Sequence, residues 1–298
     1  RLLVRANAWL EVSVVLSVVL GIALGGALTG LTESGFATEL TDYFSFASGV
    51  MVKTQTLPAM SLVLCVYLTA AALNFGLQPM RRRAAMVSLT WQSVRWGTFW
   101  KTNRKLWRDP LGGVSLYVTT LYWGVGAVMQ FAVLVWAQQT LALPLKTGAY
   151  LQALVAVGVI LGAFLAGRSF KLHSARQSLP WGLLLAVLLP VMVLVTEVWL
   201  AIPLLLCVGV AGGMLLVPMN ALLQHRGMQV LSSGRSIAVQ GFNENLCVLL
   251  MLAAYSTLLA FGVSLTFIML LLATVLIAGM APLCLLLWRQ AQPSSMAR

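Results

Sequence analysis

Charge is what this sequence has least of. Only 9% of its 298 residues are charged, and just 7 of them are Asp or Glu. A water-soluble domain of this size carries about a quarter charged residues to cover its surface, so a soluble globular chain is excluded. Histidine is nearly absent: His173 and His225 each sit in a short basic loop and form no ligand cluster. The four cysteines, Cys65, Cys207, Cys247 and Cys284, lie far apart in apolar segments. Their spacing fits neither a metal site nor a redox pair, and they read as small buried hydrophobes. There is no Ser/His/Asp or Cys/His arrangement, no phosphate-cradling glycine loop with a lysine, and no His/Asp set at acyltransferase spacing. The chain therefore reads as no enzyme, with no cofactor and no metal.

What it has is apolar length. Sixty percent of the residues are hydrophobic and the mean hydropathy is +0.93. Hydropathy gives eight candidate spans, at 7–30, 57–79, 112–138, 148–167, 180–199, 202–222, 237–260 and 264–287. About 20 apolar residues cross a hydrocarbon core of roughly 30 Å, so the expected fold is an all-α polytopic membrane protein with eight transmembrane helices. The chain opens Arg1-Leu-Leu-Val-Arg5, without an initiator methionine, and its first apolar run outlasts a signal-peptide core. It reads as a true span, and the chain as a fragment.

The basic residues orient this parse. With the N-terminus in the cytoplasm and strict alternation, only Lys53 and Lys146 of the 19 Lys and Arg fall outside. The outer loop 31–56 carries Glu33, Glu39 and Asp42 instead. A wrong number of spans would scramble that asymmetry, so both chain ends are placed in the cytoplasm of a multi-pass protein. The net charge of +12 is thereby a topology signal, and no nucleic-acid partner is implied. Gly21/Gly25, Gly26/Gly30, Gly158/Gly162 and Gly209/Gly213 repeat small residues at the spacing that lets helices approach closely in lipid. Pro190, Pro218 and Pro282 lie in or near spans, where kinks are tolerated.

Residues 81–110 form the longest inner loop, with eight basic residues and Trp91, Trp96, Trp100 and Trp107. Trp96, Phe99 and Trp100 share a helical face, with Arg95 and Lys101 beside it. That suits a helix in the cytoplasmic interface against anionic membrane lipid; an ordinary positive-inside linker is the alternative. The loop divides the chain into two helices at 1–80, the basic Trp-rich segment 81–110, and a six-helix bundle at 111–298. Six spans behind a long basic loop have the shape of half a major facilitator transporter, which leaves four helices missing upstream.

Within SIAVQGFNENLCVLLML (236–252), Gln240, Asn243 and Glu244 stand at i, i+3 and i+4 on one face, while Asn245 points elsewhere. Glu244 is about 10 Å inside its predicted span. A charge at the centre of a span costs roughly 2.5–3.5 kcal/mol, so this face looks into a cavity or a polar helix contact. Glu11 occupies the first span with Asn7 one turn earlier, repeating the Gln240–Glu244 spacing, as expected of two repeated halves. Asn220 ends the sixth span, and Gln130 lies in the third between Trp123 and Trp136. Glu11 and Glu244 have two readings: substrate-pathway groups, or latch residues that are protonated or paired with loop arginines.

The stretches VPMNALLQHRG (217–227) and RSIAVQGFNENLCVLLMLAAYS (235–256), with LVRANAWLE (3–11) and YWGVGAVMQFAVLVW (122–136), resemble the lysophospholipid transporter family of the major facilitator superfamily. The resemblance runs in order along most of the chain and is weakest at 31–56. It implies a major facilitator-type bundle whose eight spans match family helices five to twelve. It implies transfer of lysophosphatidylethanolamine and related lysolipids from the outer to the inner leaflet of a bacterial inner membrane. An acyltransferase/acyl-carrier-protein synthetase is the implied partner that re-acylates them. Glu11, Asn220, Gln240 and Glu244 fall on matching motif positions. Gln130 stands where the family motif is expected to have an arginine, and His225 where it is expected to have an acid. Read from the residues alone, a proton-coupled exporter of drugs or metabolites, a non-transporting scaffold and a truncated gene product remain open.

Overall fold

A computed structural model describes residues 2–32, 57–76 and 96–291. The described residues are helical throughout, joined by short turns. Helix α1 runs Leu2–Thr32, α2 Leu57–Phe75, α3 Trp96–Trp107, α4 Gly112–Gln139 and α5 Leu145–Ser169. A 3-10 segment, Leu172–Ser178, leads into α6 at Leu179–Leu194; α7 is Val198–Val230, α8 Ser233–Ala260 and α9 Leu265–Ala291. Lipid offers no hydrogen bonds to the backbone, so apolar runs of this length close their own as helices. Their ends fall where that run is broken. Pro144 precedes α5, a proline opens α6, and Gly262 takes φ 73° in the turn from α8 to α9, a conformation glycine adopts without a Cβ penalty.

Among the described residues seven helices are long and apolar enough to cross a membrane, against the eight expected. The difference is α2, whose described apolar stretch Ser61–Phe75 is shorter than a full span. Two boundaries also move. The break between the fifth and sixth expected spans falls at 195–197, where Thr196 and Glu197 interrupt the apolar run. Helix α7 continues eight residues past 222, so His225 is helical rather than in a loop. The polar turn is held because Arg226 and His225 find partners in Asp109 and Gln229. The cysteines are not a buried set: Cys65 and Cys207 are exposed, Cys247 and Cys284 half-buried, and all are free. In lipid a small apolar side chain gains nothing by turning inward.

Two compact units emerge. One comprises residues 1–15 and 90–298, the other 16–89, where the described chain is the second half of α1 and then α2. In the first unit α4–α9 form a bundle in which α5 pairs with α7, α4 with α8, and α6 with α9. Its core includes Val125, Trp136, Leu189, Leu205, Met219 and Leu276. The α5–α7 seam is made by glycines. A Cβ on Gly158 or Gly162 would strike the Leu206 or Val210 carbonyl, and one on Gly209 would strike the Val155 carbonyl. The other two glycine pairs give no such seam among the described side chains. Gly21 faces open space, and Gly25, Gly26 and Gly30 lie outside them.

Helix α3 docks on one end of this bundle. Leu106 packs with Leu116, Leu223 and Val239, and the Phe99 ring meets Phe242 edge-on at 4.9 Å. Asp109 follows, held by Arg226. Arg168, Lys171 and Arg289 mark the same end of the bundle, where α5, α7 and α9 finish.

Candidate functional site

Three helices each contribute a polar pair at i, i+4, and α7 stands between the other two. Its pair is Asn220 and Gln224. On one side Asn7 of α1 donates to the Gln224 Oε1 at 3.0 Å and to the Leu3 carbonyl at 3.0 Å. On the other, the Gln240 amide of α8 donates to Asn220 Oδ1 at 3.2 Å and to Glu244 Oε1 at 2.9 Å. The four-residue spacing puts each pair on one helix face, so two rungs of amides form side by side. A fourth helix, α4, adds Thr119, whose buried hydroxyl donates to the Leu116 carbonyl at 3.2 Å and stands beside the Glu244 carboxyl. Tyr122, one turn on, lies against the bare backbone of Gly212 and within electrostatic reach of Glu11.

Glu11 lies 8% exposed and Glu244 half-buried, close enough to interact electrostatically. Neither has an ion pair; among the described residues that bond is made only by Asp109 and Arg226. Two carboxyl groups in an apolar surround repel when both are ionised, and a cation between them removes that cost. The arrangement can therefore accept an ammonium group, with amides placed for phosphate or hydroxyl oxygens. Depth suits this: α8 begins at Ser233 rather than 237, which puts Glu244 about 16 Å along its helix.

Not every expected residue joins. Asn243 turns to α3, where its Oδ1 accepts from the Trp107 indole at 3.1 Å and its amide donates to Asn103 at 2.9 Å. Positions i+3 and i+4 diverge by about 100°, enough to meet different helices. Gln130 is exposed, about 16 Å along α4 from Thr119, and its backbone carbonyl accepts from Gln152 at 3.2 Å. Trp96, Trp100 and Lys101 are exposed on α3, with Trp100 also touching Phe242; Arg95 lies outside the described residues. Sequence reasoning passed over Gln224, Thr119 and Tyr122. Gln224 was findable, being four residues beyond Asn220 in the same motif. Thr119 and Tyr122 carry no signal in an apolar run until the fold sets α4 beside α8.

No protein-family model matches the chain. It is similar to the "Lysophospholipid transporter LplT" of Pectobacterium carotovorum subsp. carotovorum (strain PC1), 36% identical over 222 residues, or 74% of this chain and 54% of the relative. The protein of that name from Serratia proteamaculans (strain 568) is 36% identical over 214 residues, 71% of this chain and 53% of the relative. That from Yersinia pestis (strain Pestoides F) is 33% identical over 220 residues, covering 73% and 54%. The chain spans about half the length of the curated relatives it matches.

Proposed function

Because the chain belongs to the lysophospholipid transporter family, we propose that it is the carrier part of a protein that moves lysophospholipids across a bacterial inner membrane. The substrate class is lysophosphatidylethanolamine, taken from the outer to the inner leaflet, where an acyltransferase/acyl-carrier-protein synthetase re-acylates it. The protein works as a carrier and not as an enzyme. The observation that supports this is that Glu11 and Glu244 lie within electrostatic reach of each other, beside Asn7, Asn220, Gln224 and Gln240, with no ion pair to either among the described residues. A lysolipid has one polar head and one acyl chain. Its ammonium would lie between the two carboxylates, the amides would bond glycerol and phosphate oxygens, and exposed Leu, Val and Met faces would hold the tail. In this reading the Asp109–Arg226 end of the bundle faces the cytoplasm, and α3 lies in that interface against anionic lipid, Trp96 and Trp100 among the headgroups and Lys101 towards phosphate.

The proximity of two carboxyls also favours a second reading, proton-coupled export, in which they carry protons. One experiment separates the two. Glu244→Gln should reduce lysophosphatidylethanolamine transfer about tenfold at equal membrane abundance, as loss of one charge-assisted contact predicts. Wild-type transfer should persist when the proton gradient is collapsed. Equal transfer by the variant would make Glu244 structural; transfer that stops with the gradient would favour proton coupling.

A further inference from the structure

Helix α3 presents three stripes: the first docks it on the bundle, and the second only touches the bundle, through Trp100 on Phe242 and the Trp107 indole on Asn243. Phe99, Asn103 and Leu106, at i, i+4 and i+7, face the bundle. Trp96, Trp100 and Trp107 fall on the neighbouring stripe and stay 71%, 51% and 38% exposed. Lys101, Arg104, Lys105 and Arg108, at i, i+3, i+4 and i+7, fill a third, and all four are exposed. This third stripe lines one side of an open concavity of about 550 Å³; Asp109, Pro110, Gln229 and Val230 complete it.

The polar groups opposite the cations are already engaged. Asp109 is the single carboxylate among the lining residues, and Arg226 neutralises it through both oxygens, at 3.0 and 2.6 Å. The Gln229 amide is occupied by Arg226 at 2.8 Å and His225 at 3.1 Å. Four positive charges thus converge on one hollow with no anion of the protein left to balance them among the described residues. Docking of α3 through Leu106 and Asn103 holds them there, so their mutual repulsion is not relieved by rotation of the helix.

The geometry points to a phosphate site in this concavity. Arg104 and Arg108 offer planar forks for phosphate oxygens, and Lys101 and Lys105 add compact charges. The same chemistry is carried by a lipid headgroup or by a free phosphate. The Trp stripe beside the cations favours the lipid, because indoles settle at the depth of the headgroups. For that source the inference rests on the interfacial placement of α3 proposed above; it is independent of which lipid is transported.

Native mass spectrometry of the purified chain in detergent tests it, with phosphatidylglycerol, phosphatidylethanolamine and inorganic phosphate as separate probes. Wild type should retain one phosphatidylglycerol in preference to phosphatidylethanolamine. Arg104→Gln with Arg108→Gln should weaken this about 25-fold, at roughly fivefold per cation removed. Arg235→Gln with Arg289→Gln, removing equal charge elsewhere at the same end, should leave retention within about threefold of wild type. If inorganic phosphate binds with the same variant dependence and the lipid does not, the site stands as one for soluble phosphate and the interfacial placement fails. If neither probe binds, or the control pair loses as much as the test pair, the site is overturned and the stretch is only a general positive field.

Discussion

Asp109 accepts the backbone N–H of Gly112 at 2.7 Å and of Leu111 at 3.3 Å, and holds Arg226 by a bidentate pair. Arg226, foremost, and then the Gly112 and Leu111 amides keep its carboxyl below the usual carboxylate range, against the opposing effect of partial burial. A depressed folded pKa means the pair stabilises the protein at every pH above the unfolded value, and that this is lost as pH falls through the folded one. Asp109→Asn keeps the acceptor for Gly112 and removes only the charge. It should cost roughly 1–2 kcal/mol at pH 7, read as a lower Tm in detergent, with the gap to wild type closing below about pH 3.9. A gap unchanged at low pH would mean that the charge contributes nothing. The residue scale is where the sequence was hardest to read. Glu11, Asn220, Gln240 and Glu244 were legible because a polar group in an apolar run stands out by itself. Asp109 and Arg226 did not, since both lie in basic, polar stretches where a charge is unremarkable until its partner, 117 residues away, is known.

At the scale of elements, the glycine pairs show what spacing can and cannot tell. Gly158/Gly162 and Gly209/Gly213 meet across α5 and α7, where added carbons would strike backbone. Gly126 of α4 and Gly241 of α8 look equally plain in sequence, yet a Cβ at either meets nothing within 4 Å. Gly209→Ala should therefore destabilise by at least about 2 kcal/mol, since the backbone it meets cannot step aside. Gly126→Ala should be neutral or stabilise by up to about 1 kcal/mol through helix propensity. Thermal unfolding of the two variants in one detergent compares them, and equal shifts would deny the seam. The spans were legible because unbroken apolar length needs no partner to become helix in lipid. Their ends were less so. The last turns of α7 are polar and read as loop, yet they are helical, with Arg226 paired to Asp109 and His225 to Gln229.

At the scale of the molecule, the described basic residues of unit one, Lys146 apart, gather at one end, where α5, α7 and α9 finish and α3 docks. If that end faces the cytoplasm, a membrane-impermeant maleimide applied to intact cells should label Phe261→Cys about tenfold more than Arg289→Cys, with Cys65, Cys207, Cys247 and Cys284 replaced by Ala. The opposite ratio would invert the topology. The seam between α5 and α7 bears on how such a body can move. Helices that meet through side chains can slide by changing rotamers, as α6 and α9 could where Met280 covers Gly182 with its thioether. Between Gly158, Gly162, Gly209 and Gly213 there are no rotamers to change. Helices α5 and α7 are thus a single strut, and Asn220 and Gln224 are bolted to it. Any rocking that opens the polar rungs must be done by α1 and α8 swinging away from a fixed post.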